Sequence, residues 1–259
     1  MAGHSQFKNI MYRKEIIDTK RARTFAKLAR DIMIACKVGA PQPEINPRLR
    51  AAIQTARSQN MPKEKIERFL RRVSLADNKT LYEDIRYEGY GPGNVAIIVE
   101  TLTDNRNRTV SDIREVFTKN GGTLCTTNSV SFYFERIGTC YYPTSVASAD
   151  AILEIAVDVG ASNVSSGENG YAISCAPEKL GSIRENLERR LCAPDLARLE
   201  WRPLVTVQVA DEATVLHLLR FLESLEDHED VQYVAANFKI PKPLIRSLCL
   251  PEERHALWI

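Results

Sequence analysis

Lysine and arginine are concentrated where they could act together. Residues 1–80 hold 18 Lys+Arg against 7 Asp+Glu, a net of +11, while the rest of the chain holds 17 against 26, a net of −9. The overall charge of +2 conceals this division. Cations at such density pair well with phosphates and release their counterions, which is how a basic domain grips a polyanion. The candidate contacts are Lys8, Arg13, Lys14, Lys20, Arg21, Arg23, Lys27, Arg30, Arg48, Arg50, Lys63 and Lys65. The competing account is a solvated basic face that only keeps the protein soluble.

A second, smaller cluster lies at Leu102-Thr103-Asp104-Asn105-Arg106-Asn107-Arg108-Thr109, between a predicted strand and a predicted helix. Asp, Asn and Thr suit such a turn through hydrogen bonds to their own backbone. Arg106 and Arg108 exceed what a turn requires. They either reach phosphates bidentately or pair with Asp104 and Glu115.

Groups for catalysis are scarce. There is no HExxH, P-loop or nucleophile elbow. Gly89, Gly91, Pro92 and Gly93 read as a tight turn, because the GxGxxG spacing is missing and a strand follows. Six cysteines (36, 125, 140, 175, 192 and 249) include no CxxC pair and sit in or beside apolar runs, so buried free thiols are expected. His4, His217, His228 and His255 are scattered. Glu226-Asp227 and Glu229-Asp230 follow an amphipathic helix and read as solvated surface. Tyr87/Tyr90 and Phe132/Tyr133/Phe134 fit strand packing better than base stacking, although exposed aromatics would mimic an RNA-reading sheet. The expectation is therefore no enzyme, with no catalytic residue, metal site, cofactor or small-molecule substrate.

The elements that must carry the cations are helices. From Ala22, apolar residues recur at Ala22, Phe25, Leu28, Ala29, Ile32, Met33 and Cys36, one helical stripe. Arg13, Lys20 and Lys27 lie within about 40° of one another on the far side, with Arg23, Arg30 and Lys37 in a second row. Lys14 and Arg21 would fall on the stripe if the helix ran straight back to residue 10. Either it begins near Asp18, or this end is not packed. The first 20 residues then read as an arm that becomes ordered on a polyanionic surface. Asn46 caps a second helix with Pro47 at its first position; Leu49, Ala52, Ile53 and Ala56 alternate there with Arg48, Arg50 and Arg57. Asn60-Met61-Pro62 repeats the device before PKEKIERFLRRV, which buries Ile66, Phe69 and Leu70 and exposes Lys63, Lys65, Arg68, Arg71 and Arg72. Residues 74–80 read as a linker.

Beyond residue 80, strands and helices alternate. Strands are expected at 82–88, 95–102, 130–136, near 138–142, 171–175, 197–202, 204–209 and 231–236. Helices are expected at 109–120, 148–159, 177–191 and 211–225. This is α+β architecture with helices on one face of each sheet. The 204–238 set is too small to close a sheet alone, so it completes the one begun at 82–136, with 137–203 inserted. The fold class is thus multi-domain α+β: an N-terminal three-helix domain plus two α+β domains, the last inserted in the middle one. The domains are 1–80; 81–136 with 204–240; 137–203; and a C-terminal extension, 241–259.

The motifs MAGHS, Arg13-Lys14, DTKRAR, FAKLARDI, NPRLRAAI, NMPKEKIER, YEGYGPGNVA, ETLTDNRNRT, LEDHEDVQ and Asn237 together resemble the YebC family, over about residues 1–240. That family includes the mitochondrial translational activator of cytochrome c oxidase subunit I. The resemblance implies the same three-domain fold and a regulator of gene expression with no catalytic residues to carry over. Members have been described as DNA-binding transcriptional regulators and as ribosome-associated translation factors. The chain departs from the family at Phe7, usually Trp, and at Met11-Tyr12, where the run is usually Lys-His. LCTTNSV replaces a more glycine-rich loop, and residues 241–259 extend past the match.

Three readings follow. The first is a translation factor gripping ribosomal RNA; the second, a transcription regulator on duplex DNA; the third, a protein-interaction scaffold. Duplex readers insert a helix bearing base-specific polar side chains, whereas Lys and Arg bind backbone without reading sequence, which favours the first. No run approaches the roughly 18 apolar residues of a membrane span, and MAGHSQFKNIMYRKE has no secretory apolar region. A cytoplasmic, bacterial protein is expected, since the resemblance starts at Met1. The basic, acid-poor start leaves an organellar origin open, and sequence leaves the oligomeric state open.

Overall fold

The computed structural model describes residues 22, 24–36, 39–75, 82–167 and 170–248. It divides into two compact units, Met1–Thr80 and Leu81–Ile259.

The first unit is helical: α1 (24–36), α2 (Pro47–Ser58) and α3 (Lys63–Leu75). Leu28, Ile32, Ala35, Cys36, Leu49, Ile53, Ala56, Met61 and Ile66 form its core, flanked by Phe25, Ala52, Phe69 and Leu70. The expected stripe holds except that Ala22 is exposed, while Phe25 and Met33 are half-buried. Asn46 is the joint between α1 and α2. Its Oδ1 accepts the Leu49 N–H at 3.0 Å, and its Nδ2 donates to Ala35 O at 2.7 Å and Ala40 O at 2.8 Å. Asn46 is itself buried. Asn46→Ala removes the partner of the Leu49 N–H and of Ala40 O, while Ala35 O keeps the Gly39 N–H at 3.2 Å, so a loss of about 1–2 kcal/mol in urea unfolding is expected.

Asn60 does not repeat this role. It adopts φ +57° and ends α2: Asn60 N–H bonds Arg57 O at 2.9 Å and Met61 N–H bonds Ala56 O at 2.9 Å. This is a Schellman closure, with Met61 packed back on the core as its apolar contact. Asn-Pro at 46–47 thus opens one helix, while Asn-x-Pro at 60–62 closes another.

The second unit holds two four-stranded antiparallel sheets. The first has the order β3-β1-β2-β9, from β1 (Glu83–Gly91), β2 (Val95–Thr103), β3 (Thr123–Cys125) and β9 (Val231–Ala236). Helices α4 (Arg106–Lys119) and α7 (Glu212–Glu226) cover one face through Val95, Ile97, Val99, Ile113, Phe117, Leu218 and Phe221, among others. The second sheet has the order β5-β6-β4-β7, from β4 (Phe134–Tyr142), β5 (Asn163–Gly167), β6 (Gly170–Cys175) and β7 (Leu196–Pro203). It is covered by α5 (Ala149–Asp158) and α6 (Leu180–Arg190) through Ile152, Ala156, Ile183 and Leu187. All strands of the second sheet fall between β3 and β9 in the chain, so it is the inserted layer.

The uncovered face of the first sheet meets the second. Ala96, Ile98 and Ala235 pack with Val130, Phe134 and Trp201. Because β2 is buried on both faces, Val95 to Val99 carry no polar alternation, the pattern of a fully enclosed strand. The insertion is fixed further by polar contacts: Trp201 Nε1 donates to Glu100 Oε1 at 2.9 Å, and Arg136 pairs with the same oxygen. Arg86 and Arg136 each stand 5.1 Å from the centroid of the Trp201 ring, and Arg198 stands 5.0 Å from that of Tyr233, distances at which a guanidinium is attracted to the ring.

Two expected strands are corrected. The strand expected at 130–136 begins only at Phe134: Ser131–Tyr133 make a 3-10 turn, and the strand runs from Phe134 through Tyr142 in the inserted sheet. The cause is Glu88, fully buried, whose Oε2 accepts the Val130 and Ser131 N–H groups at 2.9 and 3.0 Å. Those amides are unavailable to a ladder. Of 204–209 only β8 (Val207–Gln208) is strand, paired parallel with β10 (Phe238–Lys239), while Leu204 and Val205 are exposed. Asn237 ties this pair to the first sheet, its Oδ1 accepting the Ala96 N–H at 2.8 Å and its Nδ2 donating to Val205 O at 3.0 Å. A short helix, α8 (Lys242–Ser247), lies in the expected extension.

The thiols divide. Cys36, Cys140 and Cys175 are buried, Cys125 is half-buried and Cys192, just after α6, is exposed; Cys249 lies outside the described residues. The expected burial therefore fails at Cys192. Burial pushes the Cys140 thiol up to about 12.

Candidate nucleic-acid interface

Helical geometry separates core from cations in the first unit. On α2, Leu49, Ile53 and Ala56 point inward, while Arg48, Arg50 and Arg57 are exposed. On α3, Ile66 is buried and Lys63, Lys65, Arg68 and Arg71 are exposed. Lys27 and Arg30 on α1 are half-buried. Lys8, Arg13, Lys14, Lys20, Arg21 and Arg23 lie outside the described residues, as does the expected N-terminal arm.

Some of these cations also hold the unit together. Arg50 donates from Nε to Pro43 O at 3.2 Å and from its guanidinium terminus to Glu44 O at 3.3 Å, tying down the loop before α2. Lys65 Nζ stands 5.2 Å from the centroid of the Phe25 ring, linking α3 to α1. Glu67 lies 3.8 Å from both Lys63 and Arg71, a spacing at which exposed helix pairs contribute little. Arg57 and Arg68 are exposed on the same two helices, α2 and α3, and belong with these cations by helical spacing.

The Leu102–Thr109 segment divides its two arginines. Asn105 caps α4, its side chain accepting the Arg108 N–H at 3.1 Å. Arg108 turns inward to Asp230 Oδ2 at 3.0 Å and to Asp104 Oδ1 at 3.1 Å, and Thr109 Oγ1 donates to the same Asp230 oxygen at 2.7 Å. Asp230 is only 2% exposed, which corrects the reading of Glu229-Asp230 as solvated surface. The hydrogen bond and charge of Asp230 hold the Arg108 guanidinium above its ordinary pKa. Arg108 thus pairs internally, with Asp104 as considered from sequence and with Asp230 rather than Glu115. Glu115 pairs with Lys119 instead. Arg106, at the first position of α4, is exposed.

The aromatic groups divide similarly. Tyr87 and Phe134 are buried, Tyr90 and Tyr133 half-buried, and Phe132 is 62% exposed, its ring 4.2 Å from that of Tyr133. Among the described residues no group of three His, Cys, Asp or Glu is placed to hold a metal ion. No helix among them is long and apolar enough to cross a membrane.

Comparison with known proteins agrees with this architecture. Residues 5–76 match the TACO1/YebC N-terminal domain, and residues 82–238 match the TACO1/YebC second and third domain. A crystal structure of a conserved hypothetical protein, Aq1575 from Aquifex aeolicus, is similar at 44% identity and a TM-score of 0.78, over 87% of this chain and 93% of that one. The chain therefore belongs to the TACO1/YebC family and, with it, to the regulators of transcription or translation.

Proposed function

We propose that this chain is a non-enzymatic, cytoplasmic translation factor that associates with the ribosome and grips ribosomal RNA through its helical unit. The supporting observation is the outer surface of α2 and α3, where Arg48, Arg57, Lys63 and Arg68 are exposed around a closed apolar core. Arg48, Arg50, Lys63 and Lys65 make backbone contacts, Arg50 and Lys65 while also bracing the unit. Lys27 and Arg30 extend the surface on α1, with Lys8, Arg13, Lys14, Lys20, Arg21 and Arg23 preceding it. Arg106 contributes separately from the second unit. Cations of this type bind phosphate and shape rather than base edges, which suits folded RNA better than a promoter. Binding alone is the activity, and it needs no cofactor.

Crosslinking in cells, followed by sequencing of the attached nucleic acid, tests this. Enrichment of ribosomal RNA fragments is expected. Enrichment of defined promoter DNA would instead make the chain a transcription regulator, and absence of crosslinked nucleic acid would leave a protein scaffold.

A further inference from the structure

Helix α5 of the inserted layer carries an outer face that its own domain does not use. Its inner side is spent on the core: Ile152 and Ala156 are buried, and Ile155 and Val159 pack against them. On the outer side Ala149, Leu153 and Val157 recur every four residues, with Leu153 53% and Val157 68% exposed. Asp150, Glu154 and Asp158 recur at the same interval one position on, all exposed. An apolar row therefore runs beside an acidic row for about 12 Å of helix. Single exposed apolar residues are ordinary surface, but aligned neighbours form a strip that association would remove from water. Arg190 of α6 pairs with Asp158 of this row at 2.7 Å.

We propose that this face of α5 docks a basic amphipathic helix of another protein, with apolar side chains on Leu153 and Val157 and lysines or arginines over Asp150 and Glu154. Charge complementarity selects this occupant. Three carboxylates in line repel a phosphate backbone. A second copy meeting the same face would bring a second carboxylate row, with Arg190 already paired to Asp158. Only a partner that is both apolar and basic satisfies the two rows together, in the helix-on-groove manner of recognition. The surface lies in the second unit, so the inference is separate from the nucleic-acid reading.

The probe is a fluorescein-labelled synthetic helix of about 18 residues, with leucines every three to four positions flanked by lysines, titrated with the full chain at about 0.15 M salt. Saturable binding is expected, weakened about tenfold or more by Leu153→Ser with Val157→Ser, and similarly by Asp150→Lys with Glu154→Lys. A scrambled peptide of equal composition should bind at least about tenfold more weakly. All four side chains are exposed, so the serine pair should melt with the parent, and the lysine pair slightly below it because Asp150 is in the first turn of α5. Equal binding by parent and variants, or by both peptides, overturns the proposal. So does self-association in sedimentation that the serine pair abolishes. RNA affinity measured in parallel should not change in the charge-neutral serine pair, which separates this test from that of the helical unit.

Discussion

Changing Arg48, Arg57 and Arg68 together to Glu is expected to lower affinity for structured RNA roughly hundredfold at physiological salt. All three are exposed on α2 and α3. Arg50 and Lys65 are left in place, because one braces the loop before α2 and the other contacts Phe25. The diagnostic quantity is the salt dependence. Each phosphate contact contributes about 0.7–0.9 to the slope of log K against log salt, so losing three flattens it by about 2–3. A filter-binding series from low to high salt measures this, with circular dichroism to confirm that the helices persist. An unchanged slope would mean that these arginines only solvate the surface, and the proposed grip on RNA would fail.

The second large effect is one of stability and centres on Asp230. Asp230→Ala should cost about 3 kcal/mol in urea unfolding, because it removes the buried partner of Arg108 and an acceptor of the Thr109 hydroxyl. Thr109 keeps Thr103 Oγ1 at 2.7 Å and Asn105 O at 3.1 Å, so the first turn of α4 should loosen rather than melt. Asp230→Asn keeps the shape and one acceptor but loses the charge, and should fall about midway. Both variants should bind RNA like the parent, since Asp230 serves the fold. A stability loss under about 0.5 kcal/mol for the alanine variant would mean that Arg108 finds an equivalent partner in solvent.

These two sites mark what the letters of the chain could and could not disclose. The helical unit was legible because its information is local. Apolar spacing gives each inward face, and Asn46-Pro47 opens α2 through a bond three residues away. The fate of Arg108 was not legible, because its deciding partner stands 122 residues on. Glu88 likewise claims the amides of Val130 and Ser131 from 42 and 43 residues upstream, so an aromatic run with strand propensity begins as a turn. Asn60 shows a subtler failure: its motif was recognised, but the left-handed backbone that closes α2 is chosen by Met61 seeking the core. Alternation and periodicity reveal faces, whereas long-range polar pairs reveal which cations remain for a ligand.

The place of β9 beside β2 has a consequence for how the chain is made. Ile97 must wait for Ala236 before the first sheet is complete. At about 5–20 residues per second, synthesis leaves one edge of β2 without its partner for on the order of ten seconds. The inserted sheet draws all its strands from within that interval and can form first. A released chain truncated near residue 205 should therefore protect β4 to β7 from proteolysis while β2 is still cleavable, and a strand made late in synthesis would close the first sheet begun.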